Sequence, residues 1–173
     1  DFPKINPVQI AIDPGLPKEK HMRWAALLRH QAPEEAVAIL RQLKLDNDTI
    51  NRVKTLVQWW KRPIGADQTQ IRKTMSQMAP ELYDDLLILK ASVGELELQA
   101  EGCVEDLDWV KAQSGEIRQR GDCVSLKELA VTGADLIQAG MKPGKELGET
   151  LKRLLELVLE HPEWNTKEIL KKV

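Results

Sequence analysis

The sequence has only two cysteines, Cys103 and Cys123, and no CxxC pair. That excludes zinc ribbons and disulfide frameworks and points to a reducing compartment, so a cytoplasmic location is expected. Aromatic residues make up 4% of the chain, with one Phe and one Tyr. Glycine (10) and proline (9) together are ordinary for 173 residues, which excludes collagen-like and low-complexity chains. No run of about 18 apolar residues occurs, so no transmembrane helix and no membrane partner is expected. Neither sign of charge dominates: 25 Lys+Arg against 27 Asp+Glu gives −2. Bulk positive charge therefore cannot be what grips a nucleic acid, although a local basic patch can. Strand signals are equally scarce, and the best candidate, Val8 to Ile12, is short and bounded by prolines. The chain starts at Asp1, without a signal-peptide pattern, and reads as a piece of a longer polypeptide.

Helical periodicity fills the rest. Lys18 to His30 places Met22, Ala25, Ala26 and Leu28 or Leu27 at helical spacing. Pro33, followed by Glu34 and Glu35, has the signature of a first helical turn. Asp46 or Asn47 caps a third helix carrying Ile50, Val53, Leu56, Val57 and Trp60. A fourth is expected from about Asp67 to Met78, and a fifth from Pro80 to a stop at Gly94. One continuous sixth helix is expected from Glu95 to Ser114. The polar stretch Lys111 to Asp122 carries two glycines and is the best boundary candidate. Beyond it come a short unit at 125–130, a brief helix capped by Thr132 and ended by Gly140, a long helix from Lys145 to Glu160, and a final short helix capped by Asn165 or Thr166. The fold class is thus all-α. The expected division is a connecting segment (1–17), a helical body (18–114), a linker (115–124) and a helical tail (125–173).

Few residue patterns carry chemistry. His21, His30 and His161 are too dispersed for a metal site. Asp106-Leu107-Asp108 has the form of a two-metal nucleotidyl-transfer clamp. In a helical stretch, however, side chains two apart point in different directions. Asp46-Asn47-Asp48 reads as a cap and Asp84-Asp85 as a solvated face. No GxGxxG, Walker loop, GxSxG or HExxH is present. No catalytic residue, metal ligand or cofactor site is therefore assigned to this chain. Gly140-Met-Lys-Pro-Gly144-Lys-Glu-Leu-Gly148 is the most informative run. A glycine stop and a Pro-Gly helix start expose free amides beside lysines, which suits a phosphate. Read alone, the same run also suits a tight turn between packed helices. Trp59-Trp60 beside Lys61-Arg62 offers one indole to the core and one to a surface.

The stretch SLKELAVTGADLIQAGMKPGKELGETLKRLLELVLEHPEWNTKEILKK, Ser125 to Lys172, resembles the C-terminal tail of bacterial class II CCA-adding enzymes. These are tRNA nucleotidyltransferases, relatives of bacterial poly(A) polymerase. Arg23 to Leu28 and Ala38-Ile-Leu-Arg-Gln-Leu-Lys44 with Asn47 resemble the degenerate HD-like helical region of the same family. Arg29-His30 stands where a metal-binding HD pair would lie. The resemblance implies an HD-like body and a tail that hold tRNA. It implies also an N-terminal catalytic head of the same polypeptide, which would use Mg²⁺ with ATP and CTP. Carried over by position, Gly140, Lys142, Gly144, Lys145, Gly148 and Lys152 would face RNA phosphates. The alternative is a helical protein-interaction or homodimer module with no RNA or catalytic role, its sticky face built from Trp59, Trp60, Met75 and Met78.

Overall fold

A computed structural model describes residues 15–172. The Val8 to Ile12 strand candidate and most of the 1–17 connecting segment lie outside the described residues. Among them there are ten α-helices, two short 3₁₀ turns and no strand, as the periodicity requires. None of the helices is long and apolar enough to cross a membrane.

The chain forms two compact units. The first takes the described residues up to Ile64 together with Met78–Trp109. Its helices are α1 (Lys20–Leu28), α2 (Pro33–Gln42), α3 (Asn47–Trp59), α5 (Pro80–Val93) and α6 (Glu95–Ala100). The second takes Gly65–Gln77 and the chain from Val110 onward. It holds α4 (Gln68–Met75), most of α7 (Leu107–Arg120), α8 (Gly133–Gln138), α9 (Lys145–Glu160) and α10 (Lys167–Leu170).

In the first unit, α3 is the hub and packs on α1, α2 and α5. Asp46 starts it: its carboxylate accepts from the Thr49 amide at 2.8 Å and from the Thr49 hydroxyl at 2.8 Å. These bonds, with Lys20 at 3.0 Å, hold its pKa well below the ordinary carboxylate range. Ile50, Val53, Leu56 and Val57 then recur at helical spacing and are buried. Trp60 is fully buried, and its indole N–H donates to the Arg29 carbonyl at 2.7 Å. Met22, Leu28, Leu40, Tyr83, Leu86 and Leu89 are also sealed in this core. Each such side chain contributes about 1.5–3 kcal/mol as an upper bound.

The expected single helix from Glu95 to Ser114 is two helices. Gly102 at φ +80° turns the chain, Cys103 drops into the core, and Asp106 starts α7 by accepting from the Trp109 amide at 3.0 Å. The expected linker at 115–124 is helical through Arg120. A narrow stripe of Val110, Ser114 and Ile117 is buried along α7, one residue per turn, so its polar composition hid the turns after Ser114. The boundary between units accordingly does not fall in that stretch alone.

The second unit is built on α9, whose Leu154, Val158 and Leu159 are buried. Cys123, Leu129, Val131, Leu136 and Leu170 complete a cluster with Leu154 and Val158, and Met141, Leu147 and Leu151 pack on its edge. α4 docks on α9 through buried Arg72, whose Nε donates to the Leu159 carbonyl at 2.8 Å. Asp122 lies 3.4 Å from Arg72 and 2.8 Å from Arg120, so one carboxylate ties two guanidinium groups.

Candidate nucleic-acid interface

The glycine-lysine run is positioned by two helix ends. α8 begins with a reciprocal cap: the Thr132 hydroxyl accepts from the Asp135 amide, and the Asp135 carboxylate accepts from the Thr132 amide at 2.9 Å. Lys167 reaches the same carboxylate at 2.9 Å. α8 ends at Gly140, φ +103°. The Gly140 amide donates to the Ile137 carbonyl and the Met141 amide to the Leu136 carbonyl, the paired bonds of a Schellman stop. Met141 folds back onto the cluster that contains Leu136, so Lys142, Pro143 and Gly144 are left exposed.

Gly144 sits at φ +156°, ψ −161°, backbone essentially closed to other residues. It directly precedes α9 and provides no side-chain cap, so the first-turn amides of a 16-residue helix are left without a side-chain acceptor. A Cβ built at Gly140, Gly144 or Gly148 would meet nothing within 4 Å. These glycines therefore do not serve a tight helix–helix approach. At Gly133 a Cβ would make only ordinary contact, with Leu147 Cδ2 at 3.5 Å; the crowded glycine is Gly65, where a Cβ would stand 2.5 Å from Gln70 Cβ.

All six residues singled out from the sequence are exposed, and they run along the chain from the α8 stop to the third turn of α9. Lys145, Gly148 and Lys152 share a face of α9, about 12 Å long at 1.5 Å per residue from Gly144 to Lys152. Lys145 Nζ lies 3.6 Å from Glu149 Oε1 with its side chain 90% exposed, a pair too solvated to hold it. Lys142 and Lys152 have no ion-pair partner among the described residues. Sequence reasoning missed Arg153, exposed beside Lys152. Its signal was its place between the buried positions Leu154 and Val158 and the bare face of α9.

The other candidates have structural duties. Asp106 caps α7, its carboxylate accepting from the Trp109 amide at 3.0 Å. Among the described residues no group of three or more His, Cys, Asp or Glu is placed to hold a metal ion. Arg29, at the position of the HD pair, is buried against Glu97 at 2.8 Å, and His30 lies 3.0 Å from the same carboxylate. Burial pushes both the Cys103 and the Cys123 thiol up, which keeps them protonated. Of the residues named for a protein-contact face, Trp60 and Met75 are buried, while Trp59 and Met78 are half-buried.

A family model described as "tRNA nucleotidyltransferase domain 2 putative" matches residues 17–173. No curated protein and no solved structure matches the chain.

Proposed function

We propose a role built on one fact: the chain belongs to the tRNA nucleotidyltransferase domain 2 family. In this reading it is the body and tail of a bacterial CCA-adding enzyme of class II, working in the cytoplasm. It holds tRNA by shape and phosphate contacts while a catalytic head, elsewhere in the same polypeptide, adds nucleotides to the 3′ end with Mg²⁺, ATP and CTP. The observation that carries the reading is the family match across nearly the whole described chain. The open glycine-lysine strip supports it.

The physics suits an enzyme that must accept every tRNA. Phosphate contacts position a nucleic acid without reading its sequence, and folded RNA is recognised mainly by shape. The free amides at the start of α9 point the positive end of a helix dipole at an incoming phosphate. Bare glycines at 140, 144 and 148 let the ribose–phosphate chain approach the protein backbone. Lys142, Lys145 and Lys152 supply counter-charge. Anchoring tRNA at this fixed point sets the distance to its 3′ terminus, which lets the body act as a ruler for the head.

The test is the double charge reversal Lys142→Glu with Lys145→Glu, read as tRNA affinity against salt. Two lost phosphate contacts reduce the slope of log K against log salt by roughly 2 and weaken binding at low salt. Unchanged affinity and slope for both tRNA and an acceptor-stem minihelix would overturn the reading.

A further inference from the structure

α3 and the turn after it carry a second surface, separate from the glycine strip and in the other compact unit. From Thr49 to Ala66 the sequence holds four cationic residues, Arg52, Lys54, Lys61 and Arg62, and no carboxylate. Arg52 is tied to Asp48 at 2.9 Å, and Lys61 lies 3.8 Å from Glu101. Lys54 and Arg62 are exposed and have no ion-pair partner among the described residues. Asn51, Thr55 and Gln58 recur at three and four residues on the flank that α3 does not bury, all of them neutral hydrogen-bonding groups.

Trp59 sits at the end of that flank. Adjacent helix positions are about 100° apart. Because Trp60 fills the core with its N–H on the Arg29 carbonyl, Trp59 is turned outward and only half-buried. Arg62 Cζ lies over the ring, 5.3 Å from its centroid, a cation–π pair that holds the guanidinium on one face of the indole. A flat aromatic face, a fixed guanidinium, a free lysine and acid-free polar groups are the parts that bind unpaired nucleotides: the ring stacks on the base and the cations meet the phosphates.

We propose that Trp59, with Arg62 and Lys54, is a stacking site for an unpaired or helix-terminal ribonucleotide of the bound RNA. The inference rests on the tRNA-holding reading, and it adds a contact that senses an exposed base to one that senses only phosphate.

The experiment uses the full chain and a tRNA transcript carrying 4-thiouridine. Ultraviolet crosslinking followed by mass spectrometry of peptides is expected to place a nucleotide adduct on Trp59. Trp59→Ala is expected to lower tRNA affinity about tenfold, the range of one lost base stack. Trp59→Phe, which keeps an aromatic face and guards against misfolding, retains most of the affinity. Arg62→Gln lowers the salt slope by about 1. If tRNA binds, and Lys142→Glu with Lys145→Glu abolishes binding, but Trp59→Ala binds as well as the parent and no adduct maps to Trp59, the stacking site is overturned and the tRNA reading stands. If the parent chain binds no tRNA, both fall. If Trp59→Ala leaves RNA binding intact but dissolves a self-association seen by ultracentrifugation, the surface is a protein contact and the proposal is wrong.

Discussion

Lys90 and Glu105 form a buried ion pair, Nζ to Oε1 2.5 Å, with side chains 0% and 6% exposed. The lysine also donates to the Arg62 carbonyl at 2.6 Å and approaches Cys103 Sγ at 3.2 Å. The other glutamate oxygen accepts from the Ile64 amide at 2.7 Å. Every partner belongs to the first compact unit, and together they fix the turn after α3 and the segment between α6 and α7. Lys90→Met leaves Glu105 buried without its counter-charge. It is expected to lower the unfolding free energy by about 3–5 kcal/mol in urea denaturation. Lys90→Met combined with Glu105→Leu is expected to cost less than the sum of the two single changes, because no orphaned charge remains.

Gly148 separates a binding role from a packing role. It is exposed inside α9, and a Cβ there meets open space. Helix propensity alone makes Gly148→Ala stabilising by about 1 kcal/mol, seen as a higher melting temperature. If a ribose–phosphate backbone lies against this position, the same methyl group weakens tRNA binding. Higher stability with lower affinity is the expected pair of outcomes. Higher stability with unchanged affinity would remove Gly148 from the interface.

Asn165 holds the tail's first turn from both sides. Its Oδ1 accepts from the Ala130 amide at 2.8 Å and its Nδ2 donates to the Glu128 carbonyl at 3.0 Å. Asn165→Ala strands both partners and is expected to cost about 1–3 kcal/mol. Hydrogen exchange should quicken at the Ala130 amide, while the Asp46-capped amide of Thr49 keeps its parental rate.

Asp135 makes the tail sensitive to acid. The Thr132 amide, Lys167 and the Thr132 hydroxyl hold its carboxyl well below the ordinary range. The folded value lies below the unfolded one, which is about 3.9. The stabilisation is therefore complete above about pH 4 and is lost as the pH falls toward the folded value. Melting temperatures of the parent and of Asp135→Asn are expected to differ most near neutral pH and to converge in acid. A difference that stays constant from pH 7 to pH 3 would show that the ionised form does not matter.

Much of this architecture was readable from local chemistry. Pro33, Asp46, Asp67, Pro80 and Thr132 each mark a helix start, and Gly94 and Gly140 each mark a stop. The span of α9 follows from its leucine spacing and the Pro-Gly before it. What was hidden depended on tertiary partners. The break after α6 is the exception, a local glycine stop that the periodicity masked: Gly102 sits at φ +80°, its amide donates to the Gln99 carbonyl and the Cys103 amide to the Leu98 carbonyl. The last turns of α7, over 115–120, were read as linker because its buried stripe is one residue wide and includes Ser114, whose hydroxyl donates to the Val110 carbonyl at 2.7 Å. At the candidate interface the lysines and glycines were legible as types at a spacing. Whether the glycines served packing or openness required knowing that nothing stands within 4 Å of them.

The order in which the chain visits its two units has a practical meaning for anyone who cuts it. Residues 65–77 leave the first unit early and supply α4, and with it Arg72, to a fold otherwise made from residue 110 onward. A fragment begun at Ser125, where the sequence suggests a clean edge, would lose that helix and leave the Leu159 carbonyl without its guanidinium. During synthesis the early segment must wait, unfinished, until some thirty intervening residues and then the whole tail have emerged. Severing this polypeptide at one bond cannot yield two intact halves; at least one fragment would carry away a piece of the other.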